Sequence, residues 1–261
     1  MAIRGRSVFV SFILFLYLGN IGERDLQINT FRKAAEKGIA CAQRHLGLMY
    51  NHGVVVKEDK GEAAKWYGKA AKQGDVAAQY ELAWFFRKGL GVEQNDEYAF
   101  LWYQKAAEQG LAKAQRTLGW MYSEGLGVVK NDIRAVEWYK KAAEQGDLTA
   151  QNNLGWMYNE GRGVAQNYTK AIEWYKKAAD LGYGIAQNNL GWMYKNGEGV
   201  TQNLSEAYFW FSLAYLNGKE DAKKEIDDIE GVGLFSRIKL PEDEIERIKK
   251  RTQEVYAKQK K

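Results

Sequence analysis

The chain has 261 residues, 46% of them hydrophobic, with 27 glycines and one proline, enough apolar content for a substantial core built of regular helices and recurrent turns. Its single cysteine, Cys41, excludes an internal disulfide framework. The net charge is +5, but Lys and Arg are interleaved with Asp and Glu, so the balance reads as a solvated surface and no nucleic-acid partner is expected.

In chain order, Arg4 and Arg6 precede an apolar run over residues 8–18 that only Ser11 interrupts. A charged stretch followed by an apolar run of this length predicts a cleaved export signal over 1–22, since a membrane span needs roughly 20 residues. The expected location is therefore periplasmic or secreted. Gly19-Asn20-Ile21-Gly22 offers no clear cleavage site, which leaves inner-membrane anchoring as the alternative, with membrane contact through this segment only. A hydrophobic extra helix packed on the rest is the plainer reading. Residues 23–30 are polar and read as a linker, so 23–38 is a linker followed by half a repeat, where Ala34, Ala35 and Gly38 match the ends of later units.

All nine tryptophans then fall eighteen residues apart, from Trp66 to Trp210. They form two lanes with different neighbours, Trp66, Trp102, Trp138, Trp174 and Trp210 in one and Trp84, Trp120, Trp156 and Trp192 in the other. The true period is thus 36, in the range of stacked repeat architectures. Five full units fill 39–218, with Gln43, Gln79, Gln115, Gln151 and Gln187 in register without gaps. Each unit predicts two helices of about a dozen residues, too short to be stable alone in water. The first carries Ala42, Leu46, Met49 and Tyr50 at i, i+4, i+7 and i+8; the second carries Ala63, Trp66, Tyr67, Ala70 and Ala71 as one apolar stripe. On this reading Trp66 to Trp210 are core.

Asp59, Asn95, Asn131, Asn167 and Asn203 are placed to cap the second helices, and Asp59 with Glu62 and Asn203 with Glu206 approximate capping boxes. Gly74, Gly110, Gly146, Gly182 and Gly218 close those helices. The Gly-x-Gly-Val loops join two helices and recur in unit after unit, so they read as turns and not as phosphate cradles. Beyond Gly218, residues 219–261 predict a helical cap with a basic tail. Ala222, Ile226 and Ile229 would face inward from one helix, and Ile245, Ile248, Thr252 and Val255 from another that starts at Pro241.

The unit at 148–183 reads Ala150-Gln151, Leu154-Gly155, Met157-Tyr158, Gly161, Gly163-Val164, Asn167, Ala171, Trp174-Tyr175, Ala178-Ala179 and Gly182. This pattern resembles the Sel-one-like repeat family, relatives of the tetratricopeptide repeats, over about residues 31–218. The resemblance implies a right-handed, all-α solenoid of helix-turn-helix units, with five full units, a half unit and a C-terminal cap. It also implies a bacterial scaffold or adaptor that binds a protein or peptide on the concave side, lined by the first helices. Some cysteine-rich members are linked to penicillin binding, so the alternative is a cell-wall-active protein that binds or hydrolyses a β-lactam or peptidoglycan fragment. Those members carry a cysteine pair per repeat, which this chain lacks.

No catalytic motif is present, and neither catalysis nor a cofactor is expected. Cys41 and His45 have ligand-compatible i, i+4 spacing, but no other unit repeats it and no metal site is expected. The second tryptophan lane lies roughly 145° from the first helix's packing stripe. Those rings either face a ligand or fill the seam between units. The candidate partner-binding residues are Tyr80, Trp84, Arg87, Arg116, Trp120, Asn152, Trp156, Asn159, Asn188, Trp192 and Lys195.

Overall fold

A computed structural model of the chain describes residues 21–232 and 239–260, with side chains from residue 28 onward. The expected export segment, apart from its last two residues, lies outside them. Among the described residues there are thirteen helices and no strand, the all-α class that the pattern predicts. The chain divides into two compact units, 1–109 and 110–261. The first holds α1 (Ile21–Glu36), α2 (Ala40–His52), α3 (Lys60–Lys72), α4 (Val76–Lys88) and α5 (Asp96–Glu108). The second holds α6 (Ala112–Glu124), α7 (Asp132–Glu144), α8 (Leu148–Glu160), α9 (Tyr168–Asp180), α10 (Gly184–Asn196), α11 (Leu204–Leu216), α12 (Ala222–Glu230) and α13 (Glu242–Gln259).

Residues 23–30 are not the expected linker; they belong to α1. From residue 28 onward that helix buries Ile28 and Ala35, with Phe31 packed beside Ala35, at i, i+3 and i+7.

The hairpins α2–α3, α4–α5, α6–α7, α8–α9 and α10–α11 share one plan. The first helix ends on a left-handed glycine, Gly53, Gly89, Gly125, Gly161 or Gly197, at φ between 64° and 75°. Asp59, Asn95, Asn131, Asn167 and Asn203 cap the second helix by accepting from the backbone N–H three residues on, at 2.8–3.0 Å. The capping boxes do not close. The backbone N–H of Asp59 already donates to the Tyr50 carbonyl, and that of Asn203 to Tyr194, both at 2.9 Å. Glu62 instead pairs with Lys65 and Glu206 with Arg251.

The core of four of the five hairpins is a ring laid on a glycine, and in α4–α5 Ala83 takes the glycine's place opposite Tyr103. Tyr67, Tyr139, Tyr175 and Phe211 are buried against Gly47, Gly119, Gly155 and Gly191, where an added Cβ would come within 2.6–2.9 Å of the ring. Alanines at i−4 and i+3 of these rings, and at i+4 of the three tyrosines, are also buried, which lets the backbones approach closely. The first tryptophan lane is not the core. Trp66, Trp102, Trp138 and Trp174 are half-buried, each under the ammonium of the lysine three residues on, at 3.7–4.4 Å from the ring centroid. Ala64 and Ala71 are buried as well, which centres the stripe near Tyr67 and leaves Trp66 roughly 100° away, at its edge. Trp210 alone in this lane is buried, in a cluster that includes Leu240, Ile245 and Ile248 of the C-terminal cap.

That cap is built as the spacing predicts. Ala222, Ile226, Ile229, Ile245, Ile248 and Thr252 are buried, and Val255 packs partly against them. The α13 helix runs on to Gln259, whose amide donates to the carbonyls of Ala179 and Asp180 at the end of α9.

Candidate functional site

The candidate residues lie on the first helices α4, α6, α8 and α10. In the first unit, Tyr80 and Trp84 of α4 are half-buried. Tyr80 packs edge-on against Tyr103 with ring centroids 5.2 Å apart, and Trp84 against Phe85 at 5.8 Å. Arg87 hydrogen-bonds the Tyr103 hydroxyl, whose pKa is raised chiefly by burial.

In the second unit, Trp120 of α6 is half-buried and packs on the cluster of Ala135, Tyr139, Leu154 and Met157. Trp156 and Trp192 are 38% and 39% exposed. Each has a cation over its ring. The Arg162 guanidinium carbon is 4.8 Å from the Trp156 centroid, and the Lys195 ammonium is 5.2 Å from that of Trp192. Such contacts contribute about 0.5–1 kcal/mol at exposed positions and hold the rings in place.

The charged candidates are already matched within the unit. The Nε of Arg116 donates to Asp147 at 3.2 Å, and Asp147 in turn caps α8. Arg44 and Asp75 repeat this pair in the first unit at the same distance. Lys195 bonds Glu225 at 2.6 Å and Asp228 at 3.0 Å, tying α10 to α12. Its burial lowers the ammonium pKa, but those two acceptors outweigh it and the net shift is upward.

Asn152 is buried, and its Oδ1 accepts from Asn189 at 2.9 Å. It joins α8 to α10 and does not face outward. Asn159 donates to Glu160 at 2.8 Å while its Oδ1 is buried with no hydrogen-bond partner among the described residues, and Asn188 is half-buried. Two contributors escaped the sequence reading. Asn189 is the partner of Asn152. Arg162 stands where other loops carry Leu90, Leu126 and Glu198, and it binds Asp132 through two nitrogens at 2.7 and 3.1 Å. The hydrogen bond to Asp132 raises its pKa. An arginine in a loop position otherwise held by valine, leucine or glutamate, thirty residues after an aspartate, was the available signal.

At Cys41 and His45, the imidazole Nδ1 faces the Cys41 carbonyl oxygen at 2.6 Å, and burial lowers its pKa. Among the described residues, no group of three or more His, Cys, Asp and Glu is placed to hold a metal ion, and no helix is long and apolar enough to cross a membrane.

Stacked two-helix units with an aromatic row on the first helices define a helical-repeat protein of the α-solenoid class. The model of the Sel1 repeat matches five successive stretches, 42–75, 76–111, 112–147, 148–183 and 184–219, and the chain belongs to that family. Among solved structures it is similar to a protective antigen of uropathogenic Escherichia coli with an SLR fold, at 33% identity and a TM-score of 0.77, over 88% of this chain and 49% of the antigen. It thus spans about half of that protein's length. It is also similar to a Sel1 repeat protein from Oxalobacter formigenes, at 34% identity and a TM-score of 0.71, covering 84% of this chain and 85% of the other. Comparison with curated proteins gives no match. Sel1-repeat proteins generally act as non-catalytic scaffolds for protein–protein interaction.

Proposed function

We propose that this chain is an exported bacterial scaffold that holds a protein or peptide segment on the first-helix face of its second unit, with Trp120, Trp156 and Trp192 as anchors. The observation that carries this reading is that Trp156 and Trp192 remain more than a third exposed while Tyr175 and Phe211 fill the core beneath them. Large aromatics held rigidly at the surface are typical interface anchors. Tyr80, Trp84 and Arg87 offer a smaller version of the same surface on α4. The face carries little unmatched charge, since Arg116, Arg162 and Lys195 each have an acidic partner. The partner is therefore gripped through apolar groups and amides, and its affinity should vary little with salt. The apolar run behind Arg4 and Arg6 supports export, and so does the resemblance to an antigen.

Crosslinked capture from the native cell, comparing wild type with a Trp120→Ala/Trp156→Ala variant, tests the reading. A protein held by the wild type and lost by a variant that still folds is the expected result. A partner retained by that variant would move the binding surface elsewhere.

A further inference from the structure

On the second-helix side of the first unit lies a groove of about 620 Å³, lined by side chains of α3, α4 and α5. Its apolar lining includes Trp66, Leu82, Phe86, Tyr98 and Trp102. Two departures from the repeat coincide here. Gly61 and Gly68 of α3 stand where the other second helices carry Glu97, Ile133, Thr169 and Ser205, and Gln104, Lys140, Lys176 and Ser212. Glycine weakens a helix interior. A Cβ on Gly68 would nevertheless meet nothing within 4 Å, so neighbouring packing does not require its absence.

The second departure is charge. Lys65 and Lys72 stand where the sister helices carry Leu101, Glu137, Glu173 and Phe209, and Glu108, Glu144, Asp180 and Leu216. With Lys69, whose ammonium lies 3.8 Å from the Trp66 centroid, they place three cations in the groove lining. Glu62, paired with Lys65 at 2.7 Å, is the one carboxylate among the lining residues.

We propose that this groove is a second docking site, for a partner segment that carries apolar anchors flanked by carboxylates. The basic lining fixes the sign of the partner's charge, and the aromatic lining fixes its apolar character. The groove extends over three turns of α3, from Gly61 to Lys72, and Tyr98 within it is 54% exposed. An open trough of this length suits a peptide segment, whereas small-molecule sites enclose most of their ligand. The site uses none of the tryptophans of the first-helix face and stands apart from the reading above.

Panning a random linear-peptide display library on the full chain tests it, alongside a Lys65→Glu/Gly68→Gln/Lys72→Glu variant. Residues of these types occupy the equivalent positions in sister helices, so this variant is expected to melt like the wild type. The expected outcome is enrichment of peptides with aromatic or aliphatic residues between Asp or Glu. Their affinity should fall by at least about tenfold on the groove variant and stay unchanged on Trp120→Ala/Trp156→Ala. Absence of acidic enrichment, or equal binding to the groove variant, overturns the proposal. So does sedimentation with phosphatidylglycerol vesicles that needs the same lysines while no peptide is enriched, because the occupant would then be a lipid surface.

Discussion

Val55 adopts φ 68°, a left-handed conformation that Gly91, Gly127, Gly163 and Gly199 adopt at the equivalent place in the later loops. The later glycines are also needed for space: a Cβ on Gly91 or Gly163 would lie 2.3 Å from the backbone of the preceding second helix. A β-branched residue at positive φ is strained. Val55→Gly should therefore raise stability by about 1 kcal/mol in urea unfolding. A second defect lies at Leu181. The buried Gln43, Gln79 and Gln187 each donate from Nε2 to a carbonyl eight residues back and accept at Oε1 from Gln73, Gln109 and Asn217. Gln151 donates in the same way to Ala143, but Leu181 fills the donor's position and the Gln151 Oε1 is left without a partner. Leu181→Gln should add about 1 kcal/mol by supplying the missing donor, measured in the same way. Both defects are visible in the sequence as departures from the repeat. What Leu181 costs was not legible, because it depends on a contact thirty residues away.

At the scale of the helix, the caps and turns were legible because they are local chemistry, a carbonyl or carboxylate oxygen meeting an N–H three residues on. The capping boxes and the core lane were misread for one reason: spacing along a helix does not say what the neighbouring helix already supplies. The Tyr50 and Tyr194 carbonyls had taken the N-cap N–H groups, and the stripe's true centre lay on the tyrosines beside the tryptophans. Asn152, picked out as a surface residue, is buried because Asn189 reaches across to it. The ring-on-glycine contact fixes how closely two helices pack. Gly155→Ala would place a Cβ 2.8 Å from the Tyr175 ring and 3.2 Å from the Ala171 carbonyl. A cost of about 1–2 kcal/mol is expected in chemical unfolding. The lower end is favoured because Ala83 holds the same position opposite Tyr103.

Across the molecule, aromatic residues have two separate jobs. Tyrosine, and phenylalanine at the last hairpin, fill the hairpin cores of both units, while the tryptophans of both lanes, Trp210 apart, stand at the edge with one side wetted. The buried rings hold the backbone, and under the proposed function the half-exposed rings of the first helices contact a partner. The most direct measurement is the urea-unfolding free energy of Tyr175→Ala beside that of Trp156→Ala, two aromatic truncations in the same hairpin. Emptying the buried Tyr175 site should cost about 3–5 kcal/mol, and removing the exposed Trp156 under about 2 kcal/mol. Equal losses would mean that the Trp156 ring is core, and the division between structural and partner-facing aromatics would be wrong.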